Sequence, residues 1–144
     1  MLRTIIIDDE AHIRDTLARL LESNCPQVSV VGEAYGVSDG IKAIKEFHPD
    51  LVLLDINMKD GSGFDLINAF PEIDFKVIFI SAFDKNTIQA FKLSSLEYLM
   101  KPVNPEEISP SISRVMNMEL KYFTLQILAL EMNMRSTQTS RTDF

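Results

Sequence analysis

A chain of 144 residues, 46% of them hydrophobic, has room for one domain with a substantial core plus an appendage, and is too apolar to be disordered over most of its length. Its net charge of −7 argues against nucleic-acid binding through its own surface. The single cysteine, Cys25, excludes an internal disulfide framework; no apolar run reaches membrane-spanning length, and no charged region leads into an apolar one after Met1, so the expected setting is cytoplasmic, with no membrane contact.

Apolar blocks alternate with amphipathic ones, and no internal repeat is visible. Thr4 to Asp8 reads as a buried strand, because its β-branched residues run unbroken instead of alternating. Ala11 to Ser23 reads as a helix, with Ile13, Leu17, Leu20 and Leu21 on one face and Arg14, Asp15 and Arg19 outside it. Val28 to Ala34 is a second strand. A helix through Ile41, Ile44 and Phe47 follows Gly36 and stops before His48-Pro49. Leu51 to Asp55 is the third strand and the most uniformly apolar. The glycines and polar residues of 57–63 mark a loop, and a short helix then covers roughly Phe64 to Phe70. Lys76 to Ser81 is a fourth strand, Lys85 to Leu93 a fourth helix, and Glu97 to Met100 a short fifth strand. Five βα units with short links amount to an α/β fold with a doubly wound, five-stranded parallel sheet.

The last helix of that domain admits two readings. Asn104 can cap it with Pro105 in its first turn, in which case Pro110 falls inside it; alternatively Ser109 caps a fresh helix with Pro110 at its start. Either way Ile112 and Val115 face the sheet. Beyond residue 118 the chain exceeds what such a sheet needs. Met116, Leu120, Phe123, Ile127, Leu130 and Met134 fall at steps of four, three, four, three and four, an a/d stripe of under three heptads. Leu125, Leu128, Ala129 and Met132 widen the apolar surface almost all round, so a partner subunit or a further domain is expected to cover this segment. Residues 1–118 therefore read as one domain, and 119–144 as a helical extension or linker with a polar, frayed tail from Ser136.

The chemistry gathers at strand ends. Asp8 and Asp9 close the first strand, Asp55 the third, Ser81 the fourth, and Lys101-Pro102 follows the fifth. In a parallel sheet these C-termini share one edge, where ligands collect. Acidic groups clustered there repel one another unless a cation joins them, which points to a metal and a phosphoryl group. His12, by contrast, reads as a solvent-facing helix residue, and His48 as a helix-end histidine.

Asp8-Asp9, Asp55, Ser81-Ala82, Tyr98 and Lys101-Pro102 together resemble the receiver domain of bacterial two-component response regulators, from residue 3 to about 118. The runs Phe79-Ile80-Ser81-Ala82-Phe83-Asp84 and Glu97 to Pro102 look most like the LytTR (AlgR-type) transcriptional regulators, cut before their DNA-binding domain. The resemblance implies a flavodoxin-like receiver fold with strand order 2-1-3-4-5. It implies Asp55 as phosphoacceptor for a sensor histidine kinase, with Lys101 and Ser81 contacting the phosphoryl group. Mg²⁺ is implied as cofactor, on Asp8, Asp9, Asp55 and the Asn57 backbone carbonyl. Tyr98 with Ser81 is implied as the switch, a homodimer as the assembly, and a cis bond before Pro102. Such a module promotes its own phosphotransfer and dephosphorylation and is no turnover enzyme on a small substrate; DNA would be met only through an output domain outside this chain.

Two positions depart from the family pattern. Lys59 stands where proline is usual, which implies a more mobile and more positive loop, and Ser81 replaces the commoner threonine. Competing functions are weaker. A phosphatase of the haloacid dehalogenase type needs a second Asp two residues after its nucleophile, and Asn57 stands there. A stand-alone receiver acting as a phosphorelay or protein-binding module is the alternative, against which the apolar extension speaks.

Overall fold

The computed structural model describes residues 1–82 and 84–142, with side chains described as far as Met134. Phe83, part of the fourth-strand motif, lies outside the described residues, as do Asp143, Phe144 and the side chains of the tail read as frayed. In chain order the elements are β1 (Leu2–Ile7), α1 (Ala11–Asn24), β2 (Val28–Ala34), α2 (Val37–Phe47), β3 (Leu51–Asp55), β4 (Asn57–Met58) and β5 (Gly61–Ser62). There follow α3 (Gly63–Asn68), β6 (Lys76–Ser81), α4 (Lys85–Lys92), β7 (Tyr98–Met100), α5 (Pro105–Asn117) and α6 (Leu120–Thr142).

One parallel sheet runs β2-β1-β3-β6-β7. The two-residue strands β4 and β5 make a separate antiparallel hairpin; leaving them out, the sheet has the expected order 2-1-3-4-5. Its three central strands are sealed on both faces. Ile5, Ile6, Leu51 to Leu54 and Val77 to Phe79 are fully buried, which is why their sequences lack the alternation of a half-exposed strand. Helices α1 and α5 pack on each other, and so do α2 and α3. These pairs take opposite faces, as right-handed crossovers from a central β1 require. β1 therefore points its C-terminal Asp8 into the crevice where the winding reverses.

Local capping fixes where the helices begin. Ser62 and Asp65 form a reciprocal capping box on α3: the Asp65 amide donates to Ser62 Oγ (3.1 Å), and the Ser62 amide donates to Asp65 Oδ2 (2.8 Å). Asp84 caps α4 by accepting from the amides of Asn86 and Thr87. Asn104 accepts from the Glu106 amide, and α5 continues through Pro110 as a single helix with Ile112 and Val115 buried. Of the two readings of this segment, the one starting at Pro105 is the observed one.

The extension is the main difference from the sequence expectation. α6 turns back after α5 and packs along α4, burying Phe123, Ile127 and Leu130 in the core of its own domain. The middle of the a/d stripe thus finds cover within the chain, while Leu120 stays 40% exposed. Lys76, at the start of β6, holds this reversal. Its ammonium donates to the carbonyls of Val115 (3.2 Å) and Met118 at the end of α5, and lies 5.9 Å from the centre of the Phe123 ring. The helix backbone then runs on to Thr142, past the point where the polar tail begins.

Gly63 admits the tightest backbone approach near the strand ends. A Cβ there would stand 2.8 Å from the carbonyl oxygen of Asp55, with Leu54 at 3.1 Å behind it. Neither neighbour can yield, so Gly63→Ala is expected to destabilise the fold by about 1–3 kcal/mol. Urea unfolding checks this; an unchanged midpoint would show that the approach is looser than the structure has it.

Candidate functional site

The site is assembled from four strand ends and two loops. β1 delivers Asp8, which is fully buried, with half-buried Asp9 beside it. β3 delivers Asp55, 3% exposed, whose Cα pairs with that of Ile80 on β6. The next residue of β6, Ser81, is also buried, and its carbonyl accepts from the Lys101 amide at 2.8 Å. The base of the lysine is therefore hydrogen-bonded to the strand that carries the hydroxyl. The Lys101-Pro102 bond is cis.

Lys101 joins the acids. Its ammonium lies 2.8 Å from Asp8 Oδ2 and 3.4 Å from Asp55 Oδ2. Asp8 Oδ1 accepts from the Glu10 amide (2.9 Å), which turns the remaining oxygen toward the lysine. One cation shared by two buried carboxylates leaves the pair under-neutralised. Burial, then the charge of Asp8, push the Asp55 carboxyl up to about 6, against the opposing pull of Lys101 and the Asn57 amide. Burial lowers the Lys101 ammonium, but the two carboxylates outweigh it and the net shift is upward.

The donor set suits a hard cation. Asp8, Asp9 and Asp55 each offer a carboxylate oxygen, all within 4.8 Å of one another. Oxygen-only ligands with excess negative charge fit a small divalent ion and leave room for retained waters. Asn57 follows Asp55 by two residues, at the start of β4.

The remaining predicted residues take these positions. Ser81 Oγ donates to the carbonyl of Ala82 at 2.8 Å, so its hydroxyl is engaged locally. Tyr98 is half-buried on β7, with its ring 4.9 Å from that of Phe91 on α4. Phe91 is 5.3 Å from Phe79, and Phe79 is 5.3 Å from Phe64. An aromatic row thus runs from α3 through β6 to α4 and Tyr98. His12 is exposed, and His48 ends α2 in the left-handed region at φ 47.

Two contributions escaped the sequence reading. Lys59 was expected to loosen its loop by standing in a proline's place. Its amide donates to Asp9 Oδ2 at 3.0 Å, a bond that proline has no N–H to make. Asp60 accepts from the amides of Val37 (2.8 Å) and Ser38 (3.2 Å), tying the same loop to the first turn of α2. These two bonds hold its carboxyl below the usual range. An Asp before Gly61 signals a turn; that it caps a helix more than twenty residues earlier has no sequence signature.

Comparison with known proteins agrees with this geometry. A family model described as the response regulator receiver domain matches residues 4–113. An uncharacterized response regulatory protein of Vibrio cholerae is 37% identical over 122 residues, covering 84% of this chain and 51% of that protein. The sensory transduction protein LytT of Bacillus cereus is 34% identical, covering 79% of this chain and 47% of its own length. The transcriptional regulatory protein BtsR of Escherichia coli K12 is 31% identical, at 80% and 48%. The chain thus spans about half the length of the curated relatives it matches. Among solved structures, the receiver domain of PhyR from Erythrobacter litoralis superposes with a TM-score of 0.69 at 26% identity, covering 82% of this chain and 94% of that one.

The raised Asp55 carboxyl has a consequence for stability. Between the ordinary carboxylate pKa and about 6 the folded protein holds a proton that the unfolded chain has released, so stability falls as pH rises through that window. In metal-free buffer, Asp55→Asn is therefore expected to be more stable than the parent at pH 7–8, by on the order of 1–3 kcal/mol. The advantage should vanish below pH 4. Denaturant curves across pH test this; an Asn variant no more stable than the parent at pH 8 would contradict it.

Proposed function

Because this chain belongs to the response regulator receiver domain family of two-component systems, we propose that it is a phospho-switch whose acceptor is Asp55. The observation that carries the reading is the shared ammonium: Lys101 bridges Asp8 and Asp55 at a buried strand edge that still has negative charge to spare. A carboxylate so placed is a competent nucleophile. An Asp55 oxygen attacks the phosphorus of a phosphohistidine on a sensor kinase, the P–N bond breaks, and the imidazole leaves with the electron pair and takes a proton. The product is an aspartyl phosphate. Lys101 neutralises one phosphoryl oxygen, and the Ser81 hydroxyl turns from Ala82 to donate to another. Phosphoryl transfer is mainly a matter of such positioning and charge neutralisation.

Asp8, Asp9, Asp55 and the Asn57 carbonyl would hold Mg²⁺, which when bound offsets the carboxylate charge and orients phosphoryl oxygens. Tyr98 is the proposed reporter, because its ring abuts α4 and lies on the strand that Ser81 pairs with. The names of the sensory transduction protein LytT and the transcriptional regulatory protein BtsR support a role in transcription regulation; the proposed readout is a LytTR DNA-binding output domain driven by homodimerisation. Among the described residues no helix is long and apolar enough to cross a membrane, and we propose a cytoplasmic setting.

Two measurements test this. Incubated with Mg²⁺ and a small acyl-phosphate donor, the parent should gain one phosphoryl mass and Asp55→Asn none; equal labelling of both would sink the proposal. Without any donor, Mg²⁺ at a hundred times its Kd should stabilise the parent by about 2.7 kcal/mol, and Asp9→Asn should lose most of that gain. Equal stabilisation of both proteins would place the ion elsewhere.

A further inference from the structure

The three carboxylates of the candidate cation site are not restrained equally. Asp8 accepts from the Glu10 amide and lies against Lys101, and Asp55 is reached by Lys101 and by the Asn57 amide. Both are buried. Asp9 is only half-buried and forms no ion pair among the described residues. Its carboxylate accepts one hydrogen bond there, from the Lys59 amide at 3.0 Å. A side chain left free to rotate loses rotamer entropy when it is fixed on a ligand. The aim of Asp9 therefore depends on where one N–H is held.

That N–H is held by the next residue. Lys59 and Asp60 form the tip of the β4–β5 hairpin, in which Met58 pairs with Gly61. Both are exposed and neither belongs to the hydrophobic core. Asp60 is nevertheless anchored, because its two oxygens take the amides of Val37 (2.8 Å) and Ser38 (3.2 Å) at the start of α2. Gly36 leaves the carboxylate room: a Cβ there would stand 2.7 Å from Asp60 Oδ1. Gly61, at φ 146, turns the chain back from the tip. A continuous path thus runs from the first turn of α2 through Asp60 to the Lys59 amide and on to Asp9.

We propose that Lys59 and Asp60 are positioning residues for the divalent cation: the Lys59 N–H orients Asp9 as a ligand, and Asp60, fastened to α2, keeps that N–H in place. The inference rests on the Mg²⁺ site of the proposed function. Groups that hydrogen-bond a metal's carboxylate ligands fix their orientation, and losing one typically weakens metal binding about 10–100-fold. Residue 59 acts here through its backbone, so its side chain can change freely, except to proline, which has no N–H to give. Affinity for the ion is therefore set in part from the tip of a surface hairpin, by two residues that are not themselves ligands.

Calorimetric titration of the full chain with Mg²⁺, without any phosphoryl donor, tests this. Lys59→Ala and Lys59→Pro lose the same charge, and only the second loses the N–H. Proline suits the backbone there, since Met58 is in a strand and Lys59 is not at positive φ. Lys59→Pro should bind Mg²⁺ about tenfold more weakly than Lys59→Ala. Asp60→Ala should bind several-fold more weakly than the parent. Combining Lys59→Pro with Asp60→Ala should cost no more than Lys59→Pro alone, because both act through one bond. Urea midpoints taken without metal expose a merely structural role, which would lower the midpoint of Asp60→Ala and leave its Kd for Mg²⁺ at the parent's value. That result, equal affinity of the two Lys59 variants, or additive losses in the double variant overturns the inference and leaves the ion site standing. Should Asp60→Ala fail to fold, the Lys59 pair still decides. A parent that takes up no Mg²⁺ overturns the inference and the proposed ion site together.

Discussion

One ammonium shared between two buried carboxylates governs the organisation of this molecule. Placing Asp8 and Asp55 at adjacent strand ends costs desolvation and mutual repulsion, and Lys101 offsets only part of it. Every nearby element either tolerates or relieves that imbalance. The Glu10 amide occupies one oxygen of Asp8, the Asn57 amide approaches Asp55, and the Lys59 amide approaches Asp9. The backbone thus supplies fixed partial positive charges that are too weak to replace an ion. What is left over is negative charge that one more cation would offset, beside the Asp55 carboxylate that the proposed function makes the nucleophile.

That arrangement needs a rigid frame, which the fold provides through short-range fixtures. Gly63 lets α3 start against the carbonyl of Asp55, the Ser62–Asp65 capping box fixes the start of that helix, and Asp60 fastens the intervening turn to α2. The loop after β3 is therefore held at both ends and at its tip. Lys59 shows how a departure from a family pattern can be compensated. The rigidity of a proline is absent, but the amide gained in exchange binds a carboxylate that the site needs held in place.

The sheet and the charged edge were legible in the sequence for a shared physical reason. Strands buried on both faces read as unbroken apolar runs, and the first polar residue after each run marks the strand's end and so the ligand edge. Periodicity also identified the inner stripe of α6. It could not say what covers that stripe, because an a/d spacing states which face is apolar and nothing about whether the cover is in the same chain. Lys76 was illegible for a related reason. A lysine at the head of a strand looks like a solvated end, and only the return of α5 and α6 over it makes it a buried cap. Asp60 and the Lys59 amide depend on contacts more than twenty residues apart, which local pattern does not encode.

On the proposed function, the geometry at Ser81 gives a physical reason for a phosphoryl group to act as a switch and not merely as a ligand. Ser81 presently donates to the carbonyl of its neighbour Ala82, so its hydroxyl is committed away from Asp55. On the proposed function, converting Asp55 to an acyl phosphate removes a carboxylate charge and adds a group carrying about −1.5 to −2, with several acceptor oxygens. Lys101 would then move from sharing two carboxylates to following the phosphoryl group, and the most favourable use of the Ser81 hydroxyl becomes a new acceptor. The Ser81 carbonyl already accepts from the Lys101 amide, so a backbone shift at one strand end would be felt at the other. The strand ends of β6 and β7 would respond as a unit, and the aromatic row from Phe79 through Phe91 to Tyr98 is the packed material through which that response must pass.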